Sequence, residues 1–378
     1  MIKRITFILS IIILLFFLIG WNALFFVKSV VPMEHTGLYW TVYWALSLSY
    51  ILSRLVERWM PAAVATGLRI VGSCWMAVAF YAFLLLPIAD LAWLVMVFTS
   101  VAYADYMPVL SAVFGLALFI ILARGVWNAW SPIVRTYSFT VAKEAGDLKE
   151  LQVVAASDLH LGATVRRRYL DVLVRHVNAL QPDLVLLPGD VLDDSLEPFI
   201  RQRMADSMKR LQARFGVFAV LGNHEYFGGH IQDYVRRMKE IGIEVLMDRV
   251  VRVADRFYVA GRKDKTAEHS TSEGRLPHEA LLEGTDKSLP ILMMDHQPYG
   301  YDQALESGVD VLLSGHTHRG QMAPNFLVTR RLFELDWGYK QKGSLHAIVS
   351  SGYGTWGPPI RLGSRSEIVR LVIRFETP

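Results

Sequence analysis

Val309-Asp310-Val311-Leu312-Leu313-Ser314-Gly315-His316-Thr317-His318 is the stretch that decides the fold. A short, mostly apolar run stops abruptly at Ser314-Gly315, and two histidines follow with one residue between them. Four other stretches have the same form. Leu151 to Ala156 runs into Ser157-Asp158-Leu159-His160, and Leu184 to Leu187 runs into Pro188-Gly189-Asp190. Val217 to Leu221 runs into Gly222-Asn223-His224-Glu225, and Ile291 to Met294 runs into Asp295-His296-Gln297-Pro298. Runs of about four to six apolar residues have the length of a strand buried on both faces.

Helical patterns lie between several of these runs. Leu170, Leu173, Val174, Val177 and Leu180 fall on one helix face, as do Ile231, Tyr234, Val235, Met238 and Ile241. Strands alternating with helices predict an α/β sheet with helices outside. Polar residues at the strand C-termini then gather along one sheet edge, where such folds place their sites.

The residues gathered there are of ligand type. They comprise the carboxylates Asp158 and Asp190, the amide Asn223, and the imidazoles His160, His296, His316 and His318. Oxygen plus imidazole suits divalent Mn, Fe, Zn or Ni, with Mg as a further candidate, and the lack of thiolates excludes a finger-type zinc site. Seven ligands are too many for one ion with an open position and fit two ions sharing one carboxylate. Two such ions about 3.5–4 Å apart clamp an in-line displacement at phosphorus and lower the pKa of a shared water, which predicts a bridging hydroxide as nucleophile.

Taken together and in this order, Asp-x-His, Gly-Asp, Gly-Asn-His-Glu, a lone His and Gly-His-x-His resemble the calcineurin-like metallophosphoesterases. The resemblance covers about residues 150–352. Gly315 to Gln321, Gly352-Tyr353-Gly354 and Pro358-Pro359-Ile360-Arg361 are similar to a bacterial branch of membrane-associated or exported phosphoesterases, some of whose members are called phosphodiesterases. It implies a sandwich of two mixed β-sheets flanked by helices, with the site at their shared edge. It implies that Asp158, His160 and His318 hold one metal, that Asn223, His296 and His316 hold the other, and that Asp190 bridges them. His224 is implied as the group that contacts the phosphate or protonates the leaving oxygen. Arg319 stands where that branch often has glycine; it is a candidate for bidentate contact with a substrate phosphate, or else faces solvent.

Other polar residues have blander readings. Asp193 and Asp194 read as helix-capping or as partners of a ligating histidine, Asp295 as a partner of a ligand, and Glu225 as a loop anchor. His230, His269, His278 and His346 read as surface or packing residues. Residues 263–284 read as an exposed loop beside the site. Trp337, Tyr339, Tyr353 and Trp356 are candidates for the cleft wall or for aromatic packing.

The first third of the chain differs in kind. The chain has 378 residues, 53% of them hydrophobic, and this excess sits before about residue 127. Apolar spans cover about 5–26, 38–52, 70–87 and 107–122, with 91–98 ambiguous. The first is too long for a signal peptide and no small-residue cleavage site follows it. The expected organisation is thus a membrane domain of about four transmembrane helices at 1–127, a linker and first strand at 128–149, and the metallophosphoesterase domain at 150–378. Lys3, Arg4, Arg54, Arg58, Arg69, Arg124 and Arg135 all fall on one side of a four-span arrangement, and only Lys28 falls on the other. The positive-inside rule predicts a multi-pass protein of the cell membrane with its catalytic domain in the cytoplasm. Asp90 and Asp105 read as loop residues, so the membrane half reads as an anchor and not as a transporter.

Lys+Arg number 39 against Asp+Glu 35, with no basic run interleaved with aromatics, so no nucleic-acid partner is expected. Cys74 is the single cysteine, which excludes an intramolecular disulfide. The sequence therefore predicts a membrane-anchored, dimetal hydrolase of phosphoester bonds, a phosphodiesterase acting on a phosphorylated small-molecule or lipid-linked substrate. The competing classes are a pyrophosphatase acting on a nucleotide-sugar lipid and a non-enzymatic metal-binding sensor.

Overall fold

The computed structural model describes residues 2–56 and 59–376, without the side chains of 2–6, 8, 9, 54, 56 and 62. Of the basic residues used for orientation, Arg58 lies outside the described residues, as do the side chains of Lys3, Arg4 and Arg54. The chain divides into two compact units, 1–126 with 357–360, and 127–356 with 361–378.

The first unit is built from long helices: α1 (Ile2–Val30), α2 (Gly37–Val56), α3 (Ala62–Val97) and α4 (Tyr103–Trp130), the last running on into the second unit. Among the described residues, three stretches are long and apolar enough to cross a membrane: Ser10–Val30, Ala63–Val97 and Tyr103–Trp130. The second predicted span, α2, has 20 residues and so a sufficient length of about 30 Å. Thr41, Ser47, Ser49 and Ser53 lie among its apolar residues. The ambiguous patch after Leu91 extends α3, which runs through Pro87 to Val97. Asp90 is therefore not in a loop. It sits inside α3 and accepts a hydrogen bond of 2.5 Å from Asn22 of α1. Asp105 opens α4, where a carboxylate complements the helix dipole.

The second unit is a two-sheet sandwich. Its strands are β1 (Ile133–Val141), β2 (Glu150–Ala155), β3 (Leu184–Pro188), β4 (Val217–Val220), β5 (Ile243–Val245) and β6 (Arg249–Val253). They continue with β7 (Phe257–Gly261), β8 (Ile291–Met294), β9 (Val311–Ser314), β10 (Gly338–Lys342), β11 (Leu345–Val349) and β12 (Glu367–Phe375). One sheet has the order β1-β12-β2-β3-β4-β5 and the other β10-β11-β9-β8-β7-β6. Each mixes parallel and antiparallel pairs. β2, β3, β4 and β5 run parallel, as do β7, β8, β9 and β11, while β12 opposes β2 and β10 opposes β11.

Side-chain alternation explains why the strands read as unbroken apolar runs. Leu184 and Leu186 of β3 point between the sheets, onto Phe257, Leu292 and Val311. Val185 and Leu187 point outward, under Leu170, Leu173, Val174 and Val177 of the helix Arg167–Ala179. Both faces are covered, so neither carries polar residues. β8 and β9 repeat the pattern, with Met294 and Leu313 inward and Met293 and Leu312 outward. β2, β3 and β4 are adjacent in one sheet and β8 and β9 in the other, which brings the ends of all five predicted runs to one edge.

Candidate metal centre

Three of these strands, β2, β3 and β9, end in a backbone that turns sharply. Asp158, His160, Asp190, His316 and His318 all have positive φ, between 45° and 69°. Non-glycine residues pay on the order of 1–2 kcal/mol for that conformation, so the strain must be held by the surrounding structure. The hydrogen bonds that hold it are on the main chain. Asp158 N–H donates to Gly189 O at 3.0 Å, His160 N–H to Asp190 O at 3.0 Å and Leu161 N–H to Val191 O at 2.9 Å, which ties the two loops in register. Gly222 and Gly315 are required by close approach: a Cβ on either would overlap the Asp190 or the Asp158 carboxylate.

The seven predicted ligands converge. His160 Nε2 lies 2.9 Å from His318 Nε2, and His318 Nε2 lies 3.5 Å from Asp158 Oδ1. Asp190 Oδ2 lies 3.1 Å from His296 Nε2 and 3.9 Å from His160 Nε2, so it faces both groups. Asn223 Oδ1 lies 3.2 Å from His296 Nε2 and 2.9 Å from His316 Nδ1. Asp158-His160-His318 and Asp190-His296-His316 each form a triad whose ligand atoms lie within 4.8 Å of one another, and His160-Asp190-His224 forms a third. All are buried except His316, which is half-buried.

The donor chemistry fits cations. His296 Nδ1 sits 2.8 Å from the carbonyl of Pro188 and must donate to it. In the neutral ring Nε2 then carries a lone pair, yet it faces Asp190 Oδ2 and Asn223 Oδ1, which are acceptors too. A proton on Nε2 would satisfy one of them; a divalent cation satisfies all three. Asp158 Oδ2 is buried without a hydrogen-bond partner. Burial disfavours the charged Asp190 carboxylate, but His296, His160 and His224 outweigh it and hold its pKa well below the usual range.

His224 belongs to the third of these triads, beside His160 and Asp190. Its Nδ1 lies 2.7 Å from Asp194 Oδ1, which leaves Nε2 as its free nitrogen. Burial alone would lower its pKa, but the Asp194 hydrogen bond and the charges of Asp190, Asp194 and Asp193 raise it to about 9. Cations at the neighbouring ligands would draw that value back down. The exposed rings of Phe227 and Trp356 stand 5.8 Å and 6.4 Å from its own.

Other polar residues hold the loops and the histidine rings in place. Glu225 accepts the backbone N–H groups of Gly222 at 2.7 Å, Asp190 at 3.2 Å and Leu192 at 2.8 Å, and so anchors the loops after β3 and β4. Its burial, with the Asp190 charge beside it, raises its pKa to about 8. Asp194 and Asp193 partner histidines: Asp193 Oδ1 lies 3.6 Å from His160 Nδ1. Asp295 does not partner a ligand. It is fully buried and turns to Arg262 at 2.7 Å and Arg275 at 3.2 Å, which pins the base of the 263–284 segment. That segment is exposed only in part, since Asp264 is buried. The motif that contains Arg361 gives it no role from sequence alone. It is fully buried, donates to Ser351 O at 2.7 Å, and lies 3.1 Å from His318 Nδ1. A guanidinium only donates, so that ring nitrogen accepts. An arginine after Pro358-Pro359-Ile360, with no acid nearby in sequence, was the available signal.

Arg319 stacks on Trp337 with its guanidinium 4.0 Å from the ring centre, and its Nε is buried without a hydrogen-bond partner. Tyr353 packs on Tyr169 at 4.5 Å and Tyr339 on Tyr137 at 5.8 Å. Of the aromatic candidates, Trp356 alone stands against His224. His278 and His346 are buried packing residues; His230 and His269 are exposed.

Comparison with known proteins gives a consistent result. The family model described as calcineurin-like phosphoesterase matches residues 151–320. A transmembrane protein with metallophosphoesterase domain from Bos taurus is 32% identical over 265 residues, 66% of this chain and 59% of that protein. Its Danio rerio counterpart by name is 32% identical over 273 residues, 68% of this chain and 62% of that protein. An uncharacterized metallophosphoesterase from Aquifex aeolicus (strain VF5) is 31% identical over 229 residues, 60% of this chain and 85% of that protein. The match thus spans about three fifths of the two transmembrane relatives and most of the bacterial one.

Proposed function

Because this chain belongs to the calcineurin-like phosphoesterase family, whose members hydrolyse phosphoric esters, we propose that it is a membrane-associated phosphodiesterase dependent on two divalent metal ions. The observation that carries this reading is the sharing of Asp190 between two ligand groups. Its Oδ2 faces His296 at 3.1 Å and His160 at 3.9 Å. Asp158, His160 and His318 would hold one ion and Asn223, His296 and His316 the other, with Asp190 shared between the two groups. The ions, when bound, supply Lewis acidity to the phosphate oxygens and lower the pKa of the attacking water.

The chain's own residues do the rest. His224, fixed by Asp194 through Nδ1, presents Nε2–H to the leaving oxygen as general acid. Glu225 holds the Asp190 loop through backbone N–H groups, so the bridging carboxylate does not drift. Arg319, braced on Trp337, is the candidate cation for a phosphate oxygen. The apolar helices of the first unit keep the protein in the membrane. With α2 as a fourth crossing, the basic connections lie together, which puts the site in the cytoplasm.

The decisive experiment is a substrate panel on the purified full chain reloaded with Mn, Fe, Zn or Mg. Diesters should turn over fastest, ahead of monoesters and pyrophosphate-linked lipids. Hydrolysis of none of them would end the reading. Orientation is tested separately: a C-terminal green fluorescent protein fusion should fluoresce in cells, and an alkaline phosphatase fusion should stay inactive.

A further inference from the structure

The helix Phe326–Leu332 has no buried residue. Leu327, Val328 and Leu332 are 50%, 54% and 65% exposed, which is unusual for three apolar residues on seven. Arg330 and Arg331 lie among them. This helix is attached directly to the ligand loop. Asn325, just before it, lies against Gly320, two residues after His318, so closely that a Cβ on Gly320 would overlap it. Two further exposed rings, Phe227 (64%) and Trp356 (57%), stand beside His224. Trp356 is tied to the same loop through two hydrogen bonds with Gln321, at 2.8 Å and 2.9 Å. Apolar residues thus rise from the segments that carry His224 and His318.

We propose that helix 326–332, with Phe227 and Trp356, is a membrane-docking rim, and that the site takes its substrate from the bilayer as the headgroup phosphodiester of a membrane lipid. The second half rests on the phosphoester reading above. Leucine and valine beside arginines match the acyl boundary and the headgroup phosphates of an anionic bilayer. The tether is short as well: β1 begins at Ile133, and the candidate span that precedes it ends at Trp130. In the reaction a water oxygen bonds to phosphorus and one P–O ester bond of the diester breaks. The two water protons end on the released alcohol and on the phosphomonoester.

The test uses the full chain in nanodiscs of phosphatidylglycerol and phosphatidylcholine. A Cys74→Ser, Val328→Cys variant carries an environment-sensitive fluorophore, with Cys74→Ser, Arg236→Cys as the control position. Acyl-brominated lipids should quench the Val328 label at least about two-fold and leave the Arg236 label unchanged. An unquenched Val328 label overturns the rim, and that is the result a second copy or a soluble protein on this helix would give. In parallel, the triple variant Leu327→Ser, Val328→Ser, Leu332→Ser should lose about ten-fold in hydrolysis of nanodisc phosphatidylglycerol and keep its rate on bis(p-nitrophenyl) phosphate. Wild-type cleavage of the soluble diester without cleavage of the lipid overturns the lipid substrate and leaves the phosphoesterase reading standing. Cleavage of neither overturns that reading too, while the quenching result still decides the rim.

Discussion

His224 and Asp194 are joined by a 2.7 Å contact between Nδ1 and Oδ1, which fixes the imidazole through one nitrogen and leaves the other for chemistry. On the proposed reading this ring serves as general acid and not as a metal ligand. His224→Ala should lower kcat on a chromogenic diester by about 10²–10⁴-fold. Asp194→Ala should lower it by about 10–100-fold through misorientation alone. KM should change little in either, and metal content should stay at the wild-type level. A loss of bound metal in His224→Ala would assign the residue to the ligand set instead.

Asp190 faces His160 and His296, one from each proposed ligand group, so it should control metal content. Wild-type protein should hold about two ions per chain, and Asp190→Ala at most about one. Gly222→Ala should have a similar effect, because its Cβ would overlap the Asp190 carboxylate. Elemental analysis of the purified variants checks this independently of turnover. Full metal occupancy in Asp190→Ala would remove the bridge.

Glu225 satisfies three buried N–H groups, those of Gly222, Asp190 and Leu192. Truncation to alanine strands them without partners. Glu225→Ala should destabilise the sandwich unit by about 3 kcal/mol. That corresponds to a fall in Tm of roughly 6–12 °C for a domain of this size, read by thermal unfolding. An unchanged Tm would mean water replaces the carboxylate without cost.

His278 carries a pH dependence that is independent of the ligands. It is buried, and its Nε2 lies 3.1 Å from Arg262 Nη1 and must accept from it. Burial, then the charges of Arg262 and Arg275, push its pKa down to about 3. Its unfolded value is near 6.5, so between about pH 6.5 and 3 the unfolded chain takes up a proton that the folded one refuses. Stability from this group is full above pH 6.5 and falls as the pH drops, by at most about 1.4 kcal/mol per unit. His278→Gln should flatten that slope in denaturant titrations at pH 7 and pH 5. An equal slope in the variant would assign the acid sensitivity elsewhere.

Much of this was legible in the sequence for a local reason. A strand covered on both faces must be apolar at every position, and it must stop where its backbone reaches the sheet edge. Runs such as Leu184 to Leu187 before Pro188-Gly189-Asp190 therefore announce both the strand and the place of its last residue. Ligand types could be read there because Asp, Asn and His at such ends have few structural reasons to recur together. Helix faces such as Leu170, Leu173, Val174 and Val177 follow a period that is equally local. The membrane helices are legible by length, but the place of Asp90 is not: a charge in a long apolar helix and a charge in a loop look alike until Asn22 is seen across from it.

What only the tertiary structure decided is which residues meet. The residue types and strand ends were set by local pattern, but the pairing of Asp158 with His318, and of Asp190 with both His160 and His296, depends on how two sheets align. The same holds for Asp194 turning to His224, Asp295 turning away to Arg262 and Arg275, and Arg361 buried beneath His318. Such contacts join residues distant in the chain, or depend on loops held at positive φ by hydrogen bonds to other loops. No periodicity records them, because their energies come from neighbours that exist only once the sandwich has closed.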